Sequence, residues 1–111
     1  MKLSLRLLGV ILAVALSATA GSVYITLRAG NGPLSNVEVA ITCGNRRMTA
    51  RTGPEGSFRI HAENGKCTFT VPYDNTTADG VFFSYEDPTE YYFNVSGNRQ
   101  RGYRFESATR H

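Results

Sequence analysis

The sequence predicts an all-β protein, a two-layer sandwich of seven to eight strands. Three observations predict it. From residue 21 onward, apolar and polar residues alternate in short runs, which is the period of a half-buried strand. Clusters of Gly, Asn, Pro and Ser divide these runs at close intervals. Nowhere after residue 21 does helical spacing persist for about ten residues, the shortest run that would argue for a helix.

The elements follow in order. Val23, Ile25 and Leu27 alternate with Tyr24, Thr26 and Arg28, and Gly30-Asn31-Gly32-Pro33 ends that strand. Val37, Val39, Ile41 and Cys43 form the cleanest alternation in the chain. Gly44 to Arg47 turns, and Met48 to Thr52 returns. In Gly53-Pro54-Glu55-Gly56 the proline presets its backbone angle and Gly56 accepts a positive one, so a turn is expected. Ser57 to Ala62 carries Phe58 and Ile60 on one face. The Asn64-Gly65 pair then signals a hairpin into Cys67, Phe69 and Val71. Residues 73–80 are polar and read as a loop. Val81 to Tyr85, Tyr91 to Val95 and Tyr103 to Phe105 complete the set, divided by Glu86-Asp87-Pro88 and Ser96-Gly97-Asn98.

The first twenty residues read as a secretory signal rather than as part of the fold. Lys2 and Arg6 precede an apolar run from Leu7 to Leu16, and Ser17-Ala18-Thr19-Ala20 offers small residues for cleavage after Ala20. A bilayer-spanning helix needs about 20 apolar residues, and this run has about half that. No stable membrane anchor is therefore expected after cleavage. The domain is expected over 21–106, with 107–111 as a disordered tail, in a protein that is secreted or periplasmic. Taking Lys2 and Arg6 from the twelve basic residues leaves ten against nine acidic ones, and Lys66 is then the only lysine. No dense basic run remains for phosphate contacts, which argues against nucleic-acid binding.

A domain of this size has a marginal core, and exported domains of this kind often add covalent staples. Cys43 and Cys67 are the only cysteines, so one bridge is the only intramolecular pairing. Closing a loop of about 25 residues stabilises by roughly 3 kcal/mol in the chain-entropy model. A metal site would want four ligands at short spacing, which two distant cysteines and two scattered histidines do not supply. No cofactor is expected.

Gly32-Pro33-Leu34-Ser35-Asn36-Val37-Glu38-Val39 resembles the opening of the carboxypeptidase-regulatory-like, or transthyretin-like, domain family. Thr52-Gly53-Pro54-Glu55-Gly56-Ser57-Phe58 is similar to that family's Thr-Asp-x-x-Gly-x-Phe mark, with Gly53 in place of the Asp. Gly65-Lys66-Cys67-Thr68-Phe69-Thr70-Val71 fits its third mark, a glycine before a strand with a central aromatic. The likeness spans about residues 22–72. It implies a Greek-key sandwich of transthyretin type and, in most members, no catalysis. Hydroxyisourate hydrolases of this type carry a terminal Tyr-Arg-Gly-Ser, of which Tyr103-Arg104-Phe105-Glu106 keeps two residues, and their early histidine motif is absent. Related pilin-like sandwiches crosslink a first-strand lysine, and this first strand has none.

Catalysis needs a nucleophile with a base, paired carboxylates or a metal. His61 sits outward on a strand and His111 is the last residue, so no enzyme is expected. Asp74 and Asp79 match no known Ca²⁺ loop spacing. Asn75-Thr76-Thr77 and Asn94-Val95-Ser96 fit the glycosylation acceptor pattern. Two features point to binding. Aromatics crowd the last third, and Val81-Phe82-Phe83 and Tyr91-Tyr92-Phe93 cannot all face inward. Arginines gather in the tail while acids gather before it. Tyr85, Tyr91, Tyr92, Arg99, Arg101 and Arg104 are thus the candidate partner-binding residues. The expected function is an exported, non-catalytic binding or adaptor module for a protein or glycan. A secreted effector or inhibitor of a host or competitor protein is the first alternative, and a small-ligand carrier of transthyretin type the second.

Overall fold

A computed structural model describes residues 20–110, with side chains over 21–107. Of the expected signal peptide, residues 1–20, the first nineteen lie outside the described residues, as does His111, and Ala20 begins β1. Among the described residues all regular structure is β: β1 (Ala20–Ala29), β2 (Gly32–Pro33), β3 (Glu38–Cys43), β4 (Arg46–Arg51), β5 (Ser57–Glu63), β6 (Gly65–Tyr73), β7 (Thr76–Ser84), β8 (Thr89–Asn98) and β9 (Gly102–Arg110). The eight strands legible in the sequence are all present, and the ninth is the two-residue β2.

Two layers form, β5–β1–β8–β9 and β4–β3–β6–β7, with β2 beside the end of β1. A short parallel pairing, Ala78 with Tyr103 and Asp79 with Arg104, joins β7 to β9 along one side and makes the whole a single curled sheet. The opposite side stays open between β5 and β4. Alternation sends one face of each strand inward; β5 shows it without a break and β7 from Thr77 onward. Val23, Ile25, Leu27, Val39, Ile41, Phe58, Ile60, Phe82 and Val71 line the core. Phe69 sits at its centre, 1% exposed, with ring centroids 5.2 Å from Phe105, 5.4 Å from Phe93 and 6.0 Å from Phe82.

The expected disulfide is present, joining Cys43 and Cys67 as direct cross-strand partners of β3 and β6. The Gly53–Gly56 turn is also as expected, with Gly56 at φ 82° and its N–H donated to Gly53 O at 3.0 Å. Thr52 secures the same corner from inside. Its buried hydroxyl donates to Leu34 O at 2.6 Å and accepts from Val37 N–H at 2.9 Å.

Three expectations are corrected. Asn64-Gly65 does not close a hairpin, because β5 pairs with β1 while β6 pairs with β3 and β7. The chain crosses between layers there, since the apolar face of β5 is needed beside β1. The hairpin lies one strand later, within the polar residues 73–80 whose composition predicts a loop: β6 and β7 pair from Gly65↔Ser84 to Tyr73↔Thr76. Asp74 and Asn75 supply its two-residue turn at φ 52° and 61°, the left-handed pair that matches strand twist. Finally, β9 continues past Glu106 to Arg110 by pairing with β8, with an irregularity between Tyr92 and Phe93, so 107–110 is strand rather than tail.

Candidate functional site

Strand alternation fixes what β7 shows to solvent. Ala78, Gly80, Phe82 and Ser84 turn inward, so Asp79, Val81 and Phe83 turn outward. Tyr85 continues the outward row just past the strand. Val81, Phe83 and Tyr85 are 44%, 45% and 54% exposed, three successive outward positions filled by large apolar side chains. Thr68 and Lys66 lie opposite Val81 and Phe83 on β6. The row meets an open groove of about 630 Å³ where β7 and β9 diverge beyond their short pairing. Arg101 and Arg104 flank that groove, with Phe105 at its base.

The six sequence-predicted residues thus divide among three places. Tyr85, Arg101 and Arg104 belong to the β7–β9 surface. Tyr92 lies on the outer face of the other layer. Tyr91 faces the core side of β8, stacked on Phe93 at 5.5 Å. Its hydroxyl donates to Phe83 O at 2.8 Å and accepts from Phe83 N–H at 3.2 Å, so it satisfies the backbone of β7 where β9 has left it. Arg99 is engaged within the molecule, with Nη2 donating to Asp74 O at 3.1 Å and lying 3.7 Å from its carboxylate. Tyr103 joins the same cluster by donating to Asp74 Oδ2 at 2.5 Å, and its ring meets Tyr73 edge-on at 4.8 Å. The β6–β7 and β8–β9 hairpin tips are pinned together this way. The Asp74 carboxylate that accepts the Tyr103 proton raises that phenol above its ordinary pKa.

Two surface features escaped the sequence reading. In sequence Phe83 is one of several crowded aromatics, and its outward direction depends on the inward direction of Phe82, which only the register settles. The second is Tyr24, 41% exposed on β1. It shares an open groove of about 620 Å³ with Tyr92, Arg28, Glu55, Arg59 and Glu90 on the outer face of the β5–β1–β8 layer. Tyr24 and Tyr92 are about seventy positions apart in sequence, and the parallel β1–β8 register makes them diagonal neighbours. No group of three or more His, Cys, Asp or Glu side chains suited to a metal ion occurs among the described residues. His61 is exposed, its Nδ1 3.2 Å from Ser22 Oγ.

No family model matches the chain, and neither does any curated protein sequence. Solved structures do resemble it. A DUF3823 family protein from Parabacteroides merdae superposes with a TM-score of 0.57 at 14% identity, over 75% of this chain and 52% of that one. The chain thus spans about half that protein's length. The 5-hydroxyisourate hydrolase of Klebsiella pneumoniae gives 0.55 at 12% identity, over 79% and 99% of the two chains. A protein from Eubacterium rectale gives 0.52 at 15%, over 81% and 89%. At such identities the likeness shows the fold alone, and that fold is transthyretin-like.

Proposed function

We propose that this chain is an exported, non-catalytic binding module whose partner is another protein, engaged through the outward row of β7 and the arginines beside it. The observation that carries the reading is the exposure of Val81, Phe83 and Tyr85 together. A strand with one face in the core ordinarily fills its other face with polar residues. An apolar row rimmed by charge is the pattern of a protein–protein contact. Arg101 and Arg104 give that contact a direction, because guanidinium groups at the rim favour a partner with acidic residues around an apolar centre. The cross-strand disulfide supports an extracellular or periplasmic setting. The glycan arm of the sequence expectation is supported only by the Tyr24–Tyr92 groove, where two tyrosines stand among charged side chains.

The test is capture from the exported fraction in which the protein occurs. A photo-crosslinker at position 83 is expected to trap a defined partner, and Phe83→Ser or Arg104→Glu is expected to lower its recovery at least tenfold. A partner recovered equally well by wild type and Phe83→Ser would remove this surface from consideration.

A further inference from the structure

The side of the sandwich opposite the β7–β9 seam is open, and its two edge strands are built differently. β4 carries Arg46, Arg47 and Arg51 along its six residues, a charge pattern that discourages pairing with another β4. β5 has no such protection. It is regular through Ser57–Glu63, contains no proline or lysine, and pairs with β1 on one side only.

Which backbone groups face outward follows from the register. Leu27 N–H donates to Gly56 O at 2.9 Å, so the Gly56 carbonyl and the backbone groups of residues 58, 60 and 62 are directed toward β1. Residues 57, 59, 61 and 63 direct theirs away. Gly53 N–H takes the Ser57 carbonyl at 3.0 Å, which leaves Arg59, His61 and Glu63 as the open run.

That run is complementary to itself. We infer that β5 pairs antiparallel with β5 of a second copy about a two-fold axis centred on His61. In this register Arg59 of each copy lies directly opposite the partner's Glu63, both on the outer face, at each end of the pairing. The other two-fold registers open to these backbone groups set Arg59 against His61 or the partner's Arg59, or set Glu63 against His61 or the partner's Glu63. Only the centring on His61 joins opposite charges at both ends. Neither Arg59 nor Glu63 holds an ion pair among the described residues. The Arg59 guanidinium instead lies 5.9 Å from the Tyr24 ring, an exposed contact it can exchange for a carboxylate. Pairing extends the layer to β9–β8–β1–β5–β5–β1–β8–β9 and leaves both β7 surfaces free, so the dimer displays the proposed protein-binding row twice.

Sedimentation velocity on the purified protein over a concentration series tests this. A reversible monomer–dimer equilibrium is expected. Arg59→Glu and Glu63→Arg are each expected to weaken it by at least about tenfold, because like charges then face each other across the axis. The double variant R59E/E63R restores opposite charges and is expected to return to within about threefold of wild type. His61→Pro, which removes an outward N–H and the exposed side-chain contact to Ser22 but no backbone hydrogen bond to β1, is expected to sediment as a monomer with an unchanged far-ultraviolet spectrum. A wild-type protein that stays monomeric throughout, a dimer indifferent to the single reversals, or a double variant as weak as the singles would each overturn the inference. The photo-crosslink at position 83 reads the β7 surface separately, so failure of either proposal is recognisable on its own.

Discussion

Gly80 is directly opposite Phe69 in the β6–β7 pairing, and the Phe69 ring lies over it. A Cβ at position 80 would fall 2.2 Å from Phe69 Cζ and 2.4 Å from Cε1, well inside any contact distance. The ring has no free direction, since Phe93 and Phe105 stand at 5.4 and 5.2 Å on its other sides. Gly80→Ala therefore overpacks the centre of the core, at a cost of about 1–3 kcal/mol. Replacing glycine also reduces the freedom of the unfolded chain, which returns roughly 0.4–1 kcal/mol. Overpacking wins, and a net destabilisation of about 1–2 kcal/mol is expected. Phe69→Leu alone should cost about 1–2 kcal/mol through lost burial and packing. The double variant should cost no more than either single, because the shorter leucine vacates the space that the alanine methyl needs. The coupling is then favourable by at least about 1 kcal/mol. Urea unfolding followed by far-ultraviolet circular dichroism, with the disulfide intact, measures all three. Additive effects within about 0.5 kcal/mol would refute the steric reasoning, and so would a Gly80→Ala protein more stable than wild type.

Two further outcomes follow from polar contacts. Thr52→Val keeps the shape of the side chain but leaves Leu34 C=O and Val37 N–H without their partner, so a loss of about 1–3 kcal/mol is expected in the same unfolding assay, and Thr52→Ser should recover most of it. The pKa of Tyr103 is raised chiefly by its hydrogen bond to Asp74, so above the ordinary tyrosine value of about 10 the folded state retains a proton that the unfolded chain has released. Its contribution is whole below that value and declines as pH rises through the folded one. Spectrophotometric tyrosinate titration should show one late phenol that Tyr103→Phe removes and Asp74→Asn shifts to lower pH.

Strand positions and the inward residues were legible because alternation is a local property: a residue's face is set by its neighbours two positions away. Val23, Ile25 and Leu27, or Cys67, Phe69 and Val71, read inward from sequence and are inward in the structure. The disulfide was legible by counting. The hairpins were legible only in part, since Asn64-Gly65 has the preferred turn chemistry yet serves a crossing between layers, while the less conspicuous Asp74-Asn75 makes the tight turn. Turn propensity states which backbone angles a residue tolerates, and burial of the flanking strands decides how they are used.

The candidate surface was less accessible than the fold. Composition could bring Tyr85, Tyr91, Tyr92 and the arginines forward as a group, but their separation depends on contacts distant in sequence. Tyr91 serves the β7 backbone, Arg99 is held by Asp74, and Tyr85 shares a surface with Val81 and Phe83. Sequence alone determined an all-β chain with one bridge and a particular set of core residues, because period and pairing count are written along the chain. Only the tertiary structure decided which strands became neighbours, which edges stayed open and which aromatics were left outside. Those outcomes depend on parallel pairings such as β1 with β8 and β7 with β9, which join segments far apart in sequence and leave no local signal.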